Sequence, residues 1–480
     1  MHSIRRFRDR YKYCSLRSIS FKNFRKFSDF PEMSLGGLNI FVGQNNSGKS
    51  TAIKAMLLAL LNAEDTSFMD DEFLGLGEVP KSFFSYVNTL DAHTHLGDLW
   101  QNMHDNQNSQ SFSIGIGDSI MSFELRRIIK DKNHSCLSAP FSKFVFDFPK
   151  YHATISYGEK FVFTFSLAGF RLFFRHRLDS DCLMALMDDL QDRSKDEMIT
   201  VSWDFRFVDE EHLEGLVLSS QGKKGLMFFL RELRMKADFD FHSFQVEFIE
   251  AHSASHNEFL SEGDKNNYLA QTVAKYSATP YSQYSKEAHL FVLKWLSNLR
   301  IGKDFKVTRP FSELLKVDIQ DMSGAWRSLG SLGTGSIQLF ILLLRVAIAI
   351  QGLKRVIIFV EEPEQNLHPA LQSLLAEMFM DAIEISGNNI QFVVETHSEY
   401  LVRRTQVIVS RMIQSGSRDI ETINNVFKVY YFPENDIPYS MEYRNTGQFE
   451  HQFGPGFFDE AGKNYRALLE QNLLKCSTDA

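Results

Sequence analysis

Apolar and polar residues alternate over positions 15–21, which predicts a β-strand that runs on into Asn23-Phe24-Arg25-Lys26-Phe27. Positions 38–42 form a second apolar strand that leads directly into a polar, glycine-bearing loop, and positions 52–61 carry the apolar density of a helix. Residues 91–118 are polar, with histidines and asparagines, and read as loop-rich. Between 119 and 174, short Phe- and Ile-rich runs separated by turn residues predict antiparallel strands. From 179 to 299 the pattern is mixed and mostly helical, with charged stretches such as 189–197. Positions 356–360 are continuously apolar and 390–394 nearly so, broken by Gln391, as expected of strands buried on both faces. The longest apolar run, 339–350, is broken by Arg345 and falls short of the ~20 residues a membrane span needs, so it reads as a buried helix. There is no repeat, low-complexity tract or long heptad array of the kind a coiled-coil arm requires.

A chain of 480 residues predicts two or three folding units. The runs of doubly buried strand type stand near both ends, so the expected class is α/β with a mixed sheet and a largely helical insert. Residues 1–178 would form the N-terminal, strand-rich part, 179–299 the mainly helical insert, and 300–480 the C-terminal part. With 52 basic against 60 acidic residues the net charge is −8, which argues against a nucleic-acid binder over its whole surface and leaves local basic patches open. The 44 phenylalanines read as core residues of strands. Cys14, Cys136, Cys182 and Cys476 lie far apart and form no CxxC pair, which disfavours a zinc site or disulfide framework and fits a reducing compartment. The N-terminus is basic without the apolar stretch of a signal peptide, so the expected location is the cytoplasm, with no membrane association.

Gly43-Gln44-Asn45-Asn46-Ser47-Gly48-Lys49-Ser50 matches G-x-x-x-x-G-K-S between a predicted strand and a predicted helix. Glycines allow the backbone to curl so that the N–H groups around Asn45, Asn46 and Ser47 point at phosphates, and the helix N-terminus adds its positive end. Lys49 would reach the β- and γ-phosphates of ATP, while Ser50, followed by Thr51, would help hold Mg²⁺. The apolar strand at 356–360 ends in Glu361-Glu362-Pro363. Two acids facing a phosphate pocket call for a cation: Glu361 would contact Mg²⁺, and Glu362 would orient and deprotonate the attacking water. The strand at 390–394 ends in Glu395-Thr396-His397-Ser398, where His397 would meet the γ-phosphate and hold that water.

Gly330-Ser331-Leu332-Gly333-Thr334-Gly335-Ser336-Ile337-Gln338 precedes a helix and is by itself a weak signal. Taken in order, phosphate loop, glycine-rich turn, double acid and histidine, the series resembles the ABC ATPases: Walker A, signature, Walker B, D-loop and H-switch. The resemblance implies a P-loop ABC-type ATPase head that dimerises, so that the signature of one protomer closes on ATP held by the other. It assigns Gly333, Gly335 and Gln338 to the signature turn and Glu364-Gln365-Asn366-Leu367-His368-Pro369 to the D-loop, with Gln101 as the Q-loop candidate. The turn departs from LSGGQ, which leaves the contacting hydroxyl open among Ser331, Thr334 and Ser336.

The opening Ser18-Ile-Ser-Phe-Lys-Asn-Phe-Arg-Lys-Phe, Glu361-Glu-Pro-Glu-Gln-Asn-Leu-His-Pro369, Glu395-Thr-His-Ser-Glu-Tyr-Leu401 and the tail Phe453-Gly-Pro-Gly-Phe-Phe-Asp-Glu460 resemble the soluble branch that includes OLD, RecF and SMC-like ATPases. OLD-type nucleases add a TOPRIM domain, but the stretch after His397 is short for one and carries no DxD pair, so no intrinsic nuclease is expected. The likeness extends to the AriA-type ATPases of PARIS and the PtuA-type ATPases of Septu. It implies an ATP-hydrolysing sensor and scaffold of a bacterial anti-phage system, a homodimer or higher homo-oligomer, that controls a separate TOPRIM or HNH nuclease or a toxin in response to a phage-encoded trigger. The alternative is a RecF- or SMC-like repair ATPase that clamps duplex DNA, supported by Arg5, Arg6, Arg8, Arg10, Lys12, Arg17, Lys22, Arg25 and Lys26.

Overall fold

The computed structural model describes residues 16–64 and 111–469, apart from 125, 132–133, 139–143, 158–159, 176–180, 205–209, 243, 252–255, 265–266, 279–282, 353, 455–456 and 461. Two units divide the chain: Met1–Leu35 with Ser50–Val246, and Gly36–Lys49 with Glu247–Ala480.

In the first unit an eight-stranded antiparallel sheet runs in the spatial order Met198–Asp204, Lys160–Ser166, Ala153–Tyr157, Phe144–Phe148, Ser119–Glu124, Ser111–Ile116, Ser18–Phe24 and Phe27–Ser34. The antiparallel strands expected between 119 and 174 are present, except that Leu167–Phe173 is a helix, started by Ser166, whose hydroxyl accepts the Gly169 N–H. Ser111–Ile116 corrects the loop expected there: Phe112, Ile114 and Ile116 are buried, and Ile116 and Ile114 pair with Ile19 and Phe21. Its apolar residues alternate with serine and glycine in a period of two, which the long polar stretch before it masked. Residues 91–110, with the Q-loop candidate Gln101, lie outside the described residues.

Phenylalanines hold this unit together. Phe229, on the helix Ser220–His242, packs edge-on or tilted against Phe163, Phe165, Phe170, Phe173 and Phe174, with ring centroids 5.1–5.6 Å apart. Such pairings add about 0.5–1.5 kcal/mol each beyond the area they bury. Residues 179–299 contain the helices Asp181–Asp189, Ser220–His242, Tyr268–Ala278 and Gln283–Asn298, with the strands Met198–Asp204 and Phe244–Ile249 between them.

The second unit is built on a six-stranded mixed sheet in the order Phe244–Ile249, Arg355–Glu361, Ile390–Glu395, Leu38–Gly43, Phe427–Phe432 and Tyr439–Ser440. Arg355–Glu361, Ile390–Glu395, Leu38–Gly43 and Phe427–Phe432 are mutually parallel. Helices Thr334–Gln351, Pro369–Ile385 and Glu399–Gln414 contribute buried apolar residues to its core. Parallel strands covered in this way must be apolar throughout, which is why the runs at 356–360 and 390–394 stood out. Gln391 is no exception: its amide donates to Gly36 O at 2.7 Å, and the buried Asn39 binds both Gly36 backbone groups and Phe392 O at 2.7–2.9 Å. These bonds fix where the phosphate-loop strand enters the sheet.

Thr334–Gln351, with a mean hydropathy of 1.7, is long and apolar enough to cross a membrane, yet its residues from Leu339 to Leu344 are buried in the core of this unit. Arg345, which interrupts the run, donates to Glu247 Oε2 at 2.6 Å and to Thr272 Oγ1 at 2.8 Å, and lies 4.2 Å over the Tyr268 ring. Lys275 closes the other oxygen of Glu247 at 2.6 Å. One charged residue thus pins the helix to the edge strand and to the helix Tyr268–Ala278.

Candidate functional site

All four parallel strands deliver their C-terminal ends to the same edge of the sheet, and the charged residues found in the sequence gather there. Leu38–Gly43 is buried throughout and passes into the loop at Gly43, where φ is +154° and an added Cβ would stand 2.2 Å from Phe432 O. Asn46 at φ +60° and Gly48 at +105° turn the chain, and the Ser47 N–H donates back to Gln44 O at 3.3 Å. Gln44 is half-buried and Asn45 and Asn46 are exposed, whereas Ser47, Gly48 and Lys49 are buried. The helix Lys49–Glu64 follows, with Ser50 and Thr51 in its first turn. Backbone curled tightly at the head of a helix suits an anion.

Lys49 is only 3% exposed. Its ammonium donates to Gly43 O at 3.1 Å and Gln44 O at 2.9 Å, and lies 3.8 Å from Glu395 Oε1. Burial pushes its pKa below the ordinary lysine value, and Glu395, then Glu362 and Glu364, pull it back.

Glu361 ends its strand in register with Glu395, so the two side chains leave the same face of the sheet on neighbouring strands. Glu362 follows with φ +40°, a left-handed conformation that costs a non-glycine residue on the order of 1–3 kcal/mol and that clusters at functional sites. Its N–H donates to Glu395 O at 2.8 Å, its Oε1 lies 3.7 Å from His397 Nε2, and its Oε2 accepts from the Gln365 amide. Burial, then the charge of Lys49, lower the His397 pKa, with Glu362 pulling the other way, which favours the neutral imidazole.

Three side chains, two acids and an amide, matter here that the sequence reading left unassigned or placed only in a turn. Glu395 is the nearest carboxylate to Lys49. Glu364 is 8% exposed and accepts the His397 N–H at 2.6 Å; burial raises its pKa, that bond lowers it, and Glu362's charge raises it further. Gln372, one turn into the following helix, donates to Leu367 O at 3.0 Å and accepts from Ser398 Oγ at 2.6 Å. The acidic turn and the histidine turn are therefore tied at several points. Glu395 carried a legible signal, since it ends a buried strand just as Glu361 does; Glu364 and Gln372 carried none, because their partners are contributed by other turns.

The glycine-rich turn is placed against the acidic turn. Its 3₁₀ segment Leu329–Ser331 leads to Gly333, the N-cap of Thr334–Gln351. Gly335 abuts Asn366, with an added Cβ 2.6 Å from Asn366 O, and Gln338 accepts from the Asn366 amide at 3.3 Å while donating to Ala251 O. Gly333 faces open space, with nothing within 4 Å of where a Cβ would stand. Of the hydroxyls in question, Ser331 donates to Ser328 O at 2.6 Å and Thr334 is paired with His256 Nε2 at 3.1 Å.

The residues fit a magnesium nucleotide. The loop offers curled backbone and a buried ammonium, and the strand ends offer hard carboxylate oxygens. Mg²⁺ is an ion that takes one or two carboxylates and completes its shell with water and phosphate oxygens.

Residues 15–289 and 240–402 match a family model described as AAA ATPase domain. No curated protein matches the chain. Among solved structures it is distantly similar to the SmcHead bound to the C-winged helix domain of ScpA, at 11% identity and a TM-score of 0.40 over 89% of this chain and 98% of that one. The SMC head domain from Thermotoga maritima aligns at 11% and 0.36 over 90% and 100%, and an Smc head domain with an extended coiled coil, bound to the C-terminal domain of ScpA derived from Pyrococcus furiosus, at 9% and 0.38 over 89% and 96%.

Proposed function

Because the chain belongs to the AAA ATPase domain family, we propose that it hydrolyses ATP at the sheet edge just described and uses the cycle to hold and release a separate effector protein. The observation that carries the chemistry is the buried Lys49 ammonium at the end of a curled loop, facing three carboxylates and a histidine that the fold draws from distant parts of the sequence. Lys49 and the amides around Asn45, Asn46, Ser47 and Gly48 bind the phosphates, with Ser50, Thr51 and Glu361 on the metal side. Bound Mg²⁺ neutralises charge on the phosphates. Glu362 takes the proton from the attacking water, helped by the left-handed backbone that turns it out of the strand. His397, neutral and 3.7 Å from that carboxylate, positions the same water.

The scaffold role is supported by the hydrogen bonds that join the glycine-rich turn, the acidic turn and the histidine turn. Gly333 stands open at the surface, so Gly333, Gly335 and Gln338 would meet the nucleotide of a second copy, and changes at the phosphates would alter that interface. Residues 179–299 are the proposed partner-binding region. In this reading the protein is the sensor of an anti-phage system, restraining a nuclease or toxin until a phage product triggers release. The DNA-clamp alternative rests on Arg17, Lys22, Arg25 and Lys26 around the hairpin Ser18–Phe24/Phe27–Ser34; the remaining basic residues of that cluster, Arg5 to Lys12, lie outside the described residues.

The test is Glu362→Gln, purified from its native host with ATP present. It should bind ATP, turn over at least about 100-fold more slowly than the parent, accumulate as a dimer or larger assembly, and retain a stoichiometric small nuclease or toxin. Duplex DNA with no protein partner would transfer the case to the clamp. Normal turnover would show that Glu362 is not the base.

A further inference from the structure

The stretch that follows the edge strand Phe244–Ile249 runs back to the glycine-rich turn, and both lie in the second unit. Ala251 O accepts from Gln338, in the helix that follows the turn, while the imidazole of His256 meets the turn itself. His256 Nδ1 lies 3.3 Å from Gly330 O, and Nε2 lies 3.1 Å from Thr334 Oγ1. One strand sets this approach. Leu314–Gln320 pairs with Leu260–Ser261 and, further along, with Trp326–Ser328, so the chain before Leu260 and the chain after Ser328 converge. They come so close at Gly330 that an added Cβ would stand 2.7 Å from His256 O and 3.0 Å from Asn257 O. A carbonyl can only accept, so Nδ1 carries the hydrogen of its contact, and the Nε2 of a neutral imidazole then accepts from the Thr334 hydroxyl. Ser331 likewise gives its hydrogen to Ser328 O. A phosphate oxygen needs a donor, so neither hydroxyl serves one while these bonds stand. Gly333, the glycine with open space around it, lies between the two residues that His256 holds.

We propose that His256 is a positioning residue for the shared ATP site: one imidazole ties Gly330 to Thr334 and holds Gly333, between them, in the shape that the nucleotide of a second copy meets. The proposal rests on the shared-site reading above and deepens it, because it brings a residue of the 179–299 stretch to that site. His256 acts through the backbone of the turn and touches no nucleotide. The Thr334 hydroxyl is part of the same brace and not a phosphate ligand, so the turn meets phosphate through its backbone rather than through Ser331 or Thr334.

The experiment follows self-association of the full chain by analytical ultracentrifugation in Mg²⁺ and the non-hydrolysable ATP analogue AMP-PNP. Calorimetric binding of the analogue and ATP turnover over a range of chain concentrations accompany it. His256→Ala should bind AMP-PNP with the parent's affinity when dilute. It should assemble about tenfold more weakly, the size expected for two neutral hydrogen bonds lost at an exposed site, and regain the parent's turnover as chain concentration rises. His256→Gln keeps a donor and an acceptor on a side chain of similar reach and should restore most of the assembly. Thr334→Val should weaken assembly in the parent and add nothing to His256→Ala, as two ends of one contact must. A His256→Ala chain that assembles like the parent would overturn the proposal. So would a Gln variant as impaired as the Ala variant, or a Thr334→Val change that multiplies the loss. His256 and Thr334 are both exposed; should His256→Ala still fail to fold, Thr334→Val decides, and assembly equal to the parent's refutes the brace. A parent that hydrolyses ATP without assembling would sink the shared-site reading and this role together, and one that binds no analogue would sink the ATP reading as well.

Discussion

At the scale of the residue, the site is governed by what a buried charge requires. Lys49 is almost fully enclosed, and Glu395, Glu362 and Glu364 oppose the lowering of its pKa by burial. Lys49→Ala should abolish ATP binding, measured by calorimetry, and unchanged binding would remove Lys49 from the phosphate site. Glu364 works at one remove. Its carboxylate accepts the His397 N–H, so it sets where the imidazole stands without touching it. Glu364→Ala leaves that amide without its acceptor, at a cost of roughly 1–3 kcal/mol in stability. It should also lower kcat about tenfold or more while leaving KM for ATP nearly unchanged, a loss of the kind expected when a group is misplaced by about an ångström. Glu364→Gln can still accept the bond and should recover most of kcat. A Gln variant as impaired as the Ala variant would point to charge, not placement.

At the scale of the element, the turn before Thr334–Gln351 separates two glycines that a sequence treats alike. Gly335 is packed on the acidic turn, and a methyl group there would press on Asn366 O and Leu367. Gly335→Ala should therefore destabilise the fold by about 1–3 kcal/mol in urea unfolding, as overpacking does. Gly333 has an ordinary φ of −65° and open space around it. Gly333→Ala should cost no more than about 1 kcal/mol, the loss expected when alanine replaces glycine at an N-cap. If the turn closes on the nucleotide of a second copy, that same variant should lower ATP turnover and ATP-dependent dimerisation; unaltered turnover and assembly would argue against a composite site.

At the scale of the whole molecule, the second unit owes part of its cohesion to Glu247, which links the edge strand to two helices through Arg345 and Lys275. Burial pushes the Glu247 carboxyl up, but Arg345 and then Lys275 outweigh it and hold it below its ordinary 4.5. A depressed folded-state pKa means that this contribution is complete above the unfolded value and is lost as pH falls through the folded one. Thermal unfolding should accordingly show stability falling below about pH 4.5. Arg345→Met, which leaves a buried acid with one cation fewer, should cost about 3 kcal/mol near neutral pH. Its acid sensitivity over that window should be smaller than the parent's, and identical pH profiles would mean that Glu247 does not titrate as described.

Short-range physics determined a good deal of this protein from sequence alone. A phosphate loop needs glycines and a lysine at fixed spacing, and a strand buried on both faces must be apolar until it reaches the edge where it delivers its acids. The loop, the two parallel strands after it and the antiparallel strands of the first unit were therefore legible. Ser111–Ile116 was not read as a strand although its apolar residues alternate, because so short a run at the end of a polar stretch is settled only by its pairing with Ser18–Phe24. Register and turn contacts were decided by the tertiary structure. Parallel pairing sets Glu361 beside Glu395, and the chain's return brings Glu364 under His397 and Asn366 against Gln338. These are interactions between residues tens of positions apart, and a charge shows its partner only once burial has removed water as the alternative.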